Sequence, residues 1–177
     1  MQTTHARISY NDKSKFYKEL QSEAAGILEK EWFVNLANIS ALLNQHLPDI
    51  NWVGFYLLHK NELLLSSFQG LPACTRIALG RGVCGTAAKT LQTQLVPDVD
   101  QFPGHIACDA ASRSEIVIPL IHNGKLLGVL DIDAPILNRF DDVDKAGLEK
   151  IVDIVLKGTE WPEAFIASGN TVTSNHE

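Results

Sequence analysis

The stretch 115–133 constrains the fold more than any other part of the chain. Two runs rich in branched apolar residues, Glu115–Ile121 and Lys125–Asp133, flank Asn123-Gly124. That pair readily takes up the left-handed backbone of a two-residue hairpin turn, so an antiparallel hairpin is predicted. Leu126–Ile132 is apolar at odd and even positions alike, which places this strand inside a sheet covered on both faces. It nevertheless ends Asp131-Ile132-Asp133. Alternation puts both carboxylates on one face, that of Leu127 and Val129. Two like charges there are costly unless a proton, an ammonium group or water compensates them; otherwise the strand simply reaches solvent. A tight turn pairs Ile121 with Leu126 and Glu115 with Ile132, which turns Glu115 away from the two aspartates. For all three carboxylates to meet, a bulge near Pro119 must shift the register, or Glu115 must precede regular pairing. One of these is predicted.

Upstream, apolar residues at helical spacing predict helices over about Asp12–Leu28 and Trp32–His46, the second ended by Pro48. Trp52–His59 alternates as a strand, Lys60-Asn61 turns, and Glu62–Phe68 returns. Trp52, Gly54 and Tyr56 share a face, and a glycine between two aromatics marks a gap that their rings could wall. Core packing of the two rings is the plainer reading. Short strands are expected over Thr75–Leu79 and Gln94–Val96, and a helix over about Thr86–Leu91. The glycine cluster Gly80–Gly85 lacks the Gly-Lys-Ser/Thr of a phosphate loop, although a helix start there offers N–H groups to a carboxylate. A last helix runs from Asp141 or Asp142 to about Lys157 and stops at Gly158. The domain is expected over 12–158, between a loose N-terminal segment 1–11 and a C-terminal tail 159–177 in which Trp161 docks back. Neither repeats nor a second domain is evident.

The connection Pro97–Arg113 is too long for an idle loop in a compact domain. Within it Gly104–Glu115 reads Gly-His-Ile-Ala-Cys-Asp-Ala-Ala-Ser-Arg-Ser-Glu. Its small residues bury little and let backbone N–H groups and a small ligand approach the one thiol, so Cys108 is read as the reactive centre. His105 and Arg113 are the nearby groups able to favour its thiolate.

The chain has 177 residues, is 45% hydrophobic and carries a net charge of −6 with its Lys and Arg scattered. This argues against a nucleic-acid footprint. No apolar run reaches the roughly 20 residues of a membrane span, and the first residues do not read as a secretory signal. A reducing cytosol is therefore expected, where three cysteines do not announce a disulfide scaffold. Cys74, Cys84 and Cys108 with His105 would make a zinc set, yet they lack the short-spaced pairs of zinc knuckles. A thiol redox site and unrelated buried cysteines are the other two readings.

The element order resembles a GAF domain, an α+β fold with a central antiparallel sheet and flanking helices. Within that family the chain resembles the free methionine-(R)-sulfoxide reductases over about Tyr10–Lys157. The matching stretches are 51–56 (Asn-Trp-Val-Gly-Phe-Tyr), 80–85 (Gly-Arg-Gly-Val-Cys-Gly), 104–109 (Gly-His-Ile-Ala-Cys-Asp), 112–116 (Ser-Arg-Ser-Glu-Ile) and 130–133 (Leu-Asp-Ile-Asp). The resemblance implies Cys108 as nucleophile, Cys74 as resolving cysteine and Cys84 as a third thiol able to pair with Cys108. It implies Glu115, Asp131 and Asp133 as the carboxylates that bind and polarise the sulfoxide, and Trp52 and Tyr56 as aromatic walls. It further implies free methionine sulfoxide as substrate, thioredoxin as electron donor, no metal or organic cofactor, and a homodimer. Two rivals remain: a ligand-sensing GAF module, and a thiol-redox sensor without a defined substrate.

Overall fold

The structure, a computed structural model, describes residues 8–104 and 110–163. The first two elements are helices α1 (Lys13–Gly26) and α2 (Trp32–His46). The Asp12 side chain caps α1 by accepting from the Lys15 N–H. Strands β1 (Trp52–His59), β2 (Glu62–Gln69) and β3 (Arg76–Ala78) follow, then helix α3 (Gly82–Thr90) and strand β4 (Gln94–Val96). After a 3-10 turn at Val99–Gln101 come β5 (Ser114–His122), β6 (Lys125–Ala134) and helix α4 (Asp142–Gly158). All six strands pair antiparallel in the order β3-β2-β1-β6-β5-β4. The expected α+β architecture is the one found, with β6 central.

The helix α3 starts four residues before the predicted Thr86. Glycine disfavours helix interiors, which hid the first turn, but here packing demands it. A Cβ on Gly85 would lie 2.4 Å from the Ala78 carbonyl oxygen. The glycine cluster is therefore a helix start pressed against β3.

Helices α1, α2 and α4 cover one face of the sheet. Phe16, Leu20, Leu36, Ile39, Leu148 and Ile151 pack there on Val53, Phe55, Ile118, Leu130 and Ile132. The opposite face carries α3 and a second apolar cluster built on Trp52, Tyr56, Val117 and Val129. The first layer is tied together by Asp144, which is fully buried in the capping box of α4. Its carboxylate accepts from the Tyr10 and Tyr17 hydroxyls and pairs with Lys13 at 2.6 Å. Burial, the Asp144 charge and its hydrogen bond all push the Tyr17 hydroxyl pKa upward.

Of the segment 1–11 expected to be loose, 8–11 are described, and there Ile8 is buried. Its N–H donates to His46 Nδ1 at 3.1 Å, so this part is packed onto α2. Trp161 docks back as expected, its Nε1–H donating to the Leu156 carbonyl. Among the described residues no helix is long and apolar enough to cross a membrane.

Candidate active site

The register of three central strands builds the site. The hairpin turns on Asn123 and Gly124, both at positive φ, and Ile121 faces Leu126 as the turn requires. The pairing then slips, so that Leu120 faces Gly128 and Glu115 faces Asp133. The bulge lies one residue beyond Pro119, and the extra residue is Leu127. This corrects one expectation: Leu127 packs into the helix-covered layer, while Val129 stays on the carboxylate side. On the other flank of β6, Trp52 faces Asp133 and Gly54 faces Asp131. Directly opposed residues project to the same face. One row across β1, β6 and β5 thus reads Trp52, Asp133, Glu115, and the next reads Gly54, Asp131, Val117.

Glu115 and Asp131 are each 6% exposed, and Asp133 is half-buried. Asp131 shares side-chain hydrogen bonds with Glu115 and Cys84. Two carboxyl groups in mutual hydrogen bonding must hold a proton between them. Burial, then the charges of Asp131 and Asp133, push the Glu115 pKa well above the ordinary carboxyl range. Burial also raises Asp131, to about 6, against the opposing pull of its hydrogen bonds to Cys84 and Glu115. The cluster can therefore keep a proton near neutral pH and deliver it to a bound oxygen.

The aromatic wall has three members. Trp52 stacks on Tyr56 with ring centroids 5.8 Å apart and on Phe68 at 5.4 Å. Gly54 is what lets them meet, since a Cβ there would lie 2.4 Å from Phe68 Cβ and 2.7 Å from Trp52 Cη2. The gap at Gly54 is thus filled by rings, and the open space lies beside them. A cavity of about 20 Å³, room for about one water, is lined by Trp52, Tyr56, Leu71, Pro72, Ala73, Asp131 and Asp133. The indole N–H of Trp52 donates to the Leu71 carbonyl at 3.1 Å and ties this outer wall to β1.

Sequence reading missed Phe68 and the 71–73 wall. A regular ladder from the Lys60-Asn61 turn sets Ser67 opposite Gly54, whereas a bulge in β2 brings Phe68 there. The 71–73 segment carries no residue type that betrays a pocket.

The thiols divide. Cys84, in the first turn of α3, is a buried free thiol whose Sγ lies 4.0 Å from Glu115 Oε1. Burial and the charges of Asp131 and Glu115 push its pKa up, which leaves it a poor nucleophile. Cys74, half-buried just past the 71–73 wall, is disulfide-bonded. Cys108 and His105 lie outside the described residues, so the structure does not test the residue read as the reactive centre. The connection that carries them is anchored on its C-terminal side. Arg113 N–H donates to the Ala134 carbonyl at 2.7 Å, and Asn51 Nδ2 donates to Ser112 Oγ at 3.1 Å. The Arg113 side chain itself is exposed, with Nε 4.0 Å from Asp100.

Comparison with known proteins gives relatives over most of the chain. The family described as "GAF domain" matches residues 38–155. The chain is 48% identical over 159 residues to the free methionine-R-sulfoxide reductase of Escherichia coli, covering 87% of this chain and 96% of that protein. The reduced form of fRMsr from Staphylococcus aureus superposes with a TM-score of 0.79 at 57% identity, over 80% of this chain and 94% of that one. The free methionine-R-sulfoxide reductase of Neisseria meningitidis, solved in complex with its substrate, gives a TM-score of 0.83 at 43% identity, over 93% and 98%.

Proposed function

Because the chain belongs to the free methionine-R-sulfoxide reductase family of GAF-domain proteins, we propose that it reduces free L-methionine (R)-S-oxide to L-methionine. The observation that carries this reading is the row Trp52–Asp133–Glu115 beside Gly54–Asp131. It sets a proton-sharing acid cluster against a stacked aromatic wall. Trp52 and Tyr56 suit the S-methyl end, since sulfur packs favourably on aromatic rings, and the remaining negative charge suits an ammonium group. The 20 Å³ cavity must widen for an amino acid to enter.

In the proposed reaction the Cys108 thiolate attacks the sulfoxide sulfur, forming an Sγ–S bond, while the oxygen takes one proton from the Glu115–Asp131 cluster. The hydroxyl then transfers to Sγ as the S–O bond and the new S–S bond break, so methionine leaves and Cys108 is left as a sulfenic acid. A second thiol condenses with it, giving a disulfide and water. Cys74 takes that role, supported by its being disulfide-bonded while Cys84 is a free thiol. A dithiol donor of the thioredoxin kind in the cytosol reduces the disulfide by exchange. No metal or organic cofactor enters this scheme.

The test is NADPH consumption by a thioredoxin system with each sulfoxide epimer in turn. Turnover with the R form, absent in Cys108→Ser, supports the proposal. No turnover with either epimer leaves a sensing module, and turnover restricted to peptide-bound sulfoxide contradicts the small site.

A further inference from the structure

Cys84 has no step in the proposed reaction, yet it is buried against the two carboxylates that matter most. A sulfur and two carboxylate oxygens, one each from Cys84, Glu115 and Asp131, lie within 4.8 Å of one another, all buried. A second observation points to a missing ligand. Asp131 Oδ1 is buried with no hydrogen-bond partner, on a side chain that also lines the cavity. A buried oxygen in that state is costly unless something fills its lone pairs.

We propose that Cys84, Glu115 and Asp131 form a binding site for a thiophilic divalent cation, Zn²⁺ or Cd²⁺, and that its occupation shuts the enzyme off. The inhibitory half rests on the function proposed above; the binding half does not. One thiolate with two carboxylates is a donor set for a borderline-soft ion, unlike the all-oxygen shells of Mg²⁺ and Ca²⁺. In a tetrahedral zinc site, bonds of about 2.3 Å to sulfur and about 2.0 Å to oxygen put the two donors about 3.5 Å apart. Cys84 Sγ and Glu115 Oε1 stand at 4.0 Å, so a contraction of about half an ångström closes the pair around an ion. The backbone is already fixed: Cys84 sits on α3, Glu115 on β5 and Asp131 on β6. The cavity side of Asp131 leaves a fourth position for water. Binding is acid–base chemistry with no electron transfer. The ion displaces the Cys84 thiol proton and the proton shared by the carboxyls, so about two protons are released per ion at neutral pH. Because the ion takes the same oxygens that the sulfoxide and ammonium need, inhibition is competitive with methionine sulfoxide.

The probes are Zn²⁺ and, for its spectrum, Co²⁺, added to the full chain under reducing, metal-free conditions. The expected result is one ion per chain, with a thiolate-to-Co²⁺ charge-transfer band. The band is expected to persist in the Cys74→Ser/Cys108→Ser double variant and to vanish in Cys84→Ser. Asp131→Asn is expected to weaken Zn²⁺ at least tenfold, with thermal melting confirming that each variant is folded. No band in the native chain overturns the inference, as does a band that survives Cys84→Ser or is lost in the double variant. Zn²⁺ inhibition that free methionine sulfoxide fails to relieve also overturns it. The two readings fail separately. A chain that binds Co²⁺ through Cys84 without reducing sulfoxide refutes the reductase reading alone, and an active chain that ignores both ions refutes this inference alone.

Discussion

Replacing Asp131 by Asn is expected to make the protein more stable at alkaline pH while disabling it. In the folded chain burial lifts the Asp131 pKa from its ordinary 3.8 to about 6. Between those values the folded state holds a proton that the unfolded state has released, so stability falls as pH rises. The stability is intact below pH 4 and is lost as pH passes through about 6. A gap of roughly two pH units, at about 1.36 kcal/mol each, amounts to about 3 kcal/mol. Asn keeps the shape and carries no charge, and its amide can donate to the Glu115 carboxylate. Removing the Asp131 charge also relieves Glu115, whose own pKa it helps to raise. Urea unfolding of both proteins from pH 4 to pH 8, under reducing conditions, reads the difference. The expected curves coincide near pH 4 and diverge until the variant leads by about 3 kcal/mol at pH 8. Equal or lower stability of the variant at pH 8 would refute the buried, proton-holding cluster.

Three further perturbations separate the parts of the account. Gly54→Ala drives a methyl group into Phe68 and Trp52, and is expected to cost about 1–3 kcal/mol and raise KM for the sulfoxide more than it lowers kcat; unchanged kinetics would remove the aromatic wall from the site. Asp144→Ala leaves the Tyr17 hydroxyl and the buried Arg139 guanidinium without their carboxylate, and is expected to cost about 3–5 kcal/mol in chemical denaturation with activity per folded molecule retained. Cys74→Ser is expected to release methionine in a first turnover but to lose at least tenfold in thioredoxin-driven turnover, and full steady-state activity would assign resolution to another thiol.

The elements were legible where one local rule dominates. The Asn123-Gly124 turn, the alternation of β1 and the stripe of α2 gave bounds within a residue or two of those observed. The meeting of Glu115 with the two aspartates was foreseeable only as a conflict. A strict ladder separates them, and chemistry that needs all three demands a bulge, which the structure supplies at Leu120–Ile121. Its exact place depends on which leucine of Leu126-Leu127 the helical layer takes, and nothing local decides that. Phe68 was hidden for the same reason, by a bulge in β2. The start of α3 was hidden because Gly85 serves close packing and Gly82 takes a positive φ, both against helix propensity. The cavity wall at 71–73 comes from tertiary contact with Trp52, which no local pattern encodes.

The central claim is that Cys108 takes the sulfoxide oxygen while the acid cluster protonates it. The most direct measurement is a single turnover of the fully reduced chain with free methionine (R)-sulfoxide and no external reductant, read by peptide mass mapping. The account predicts one methionine per chain and a Cys74–Cys108 disulfide, with neither formed by Cys108→Ser. Methionine formed by the Cys108→Ser chain, or a disulfide that excludes Cys108, would contradict it.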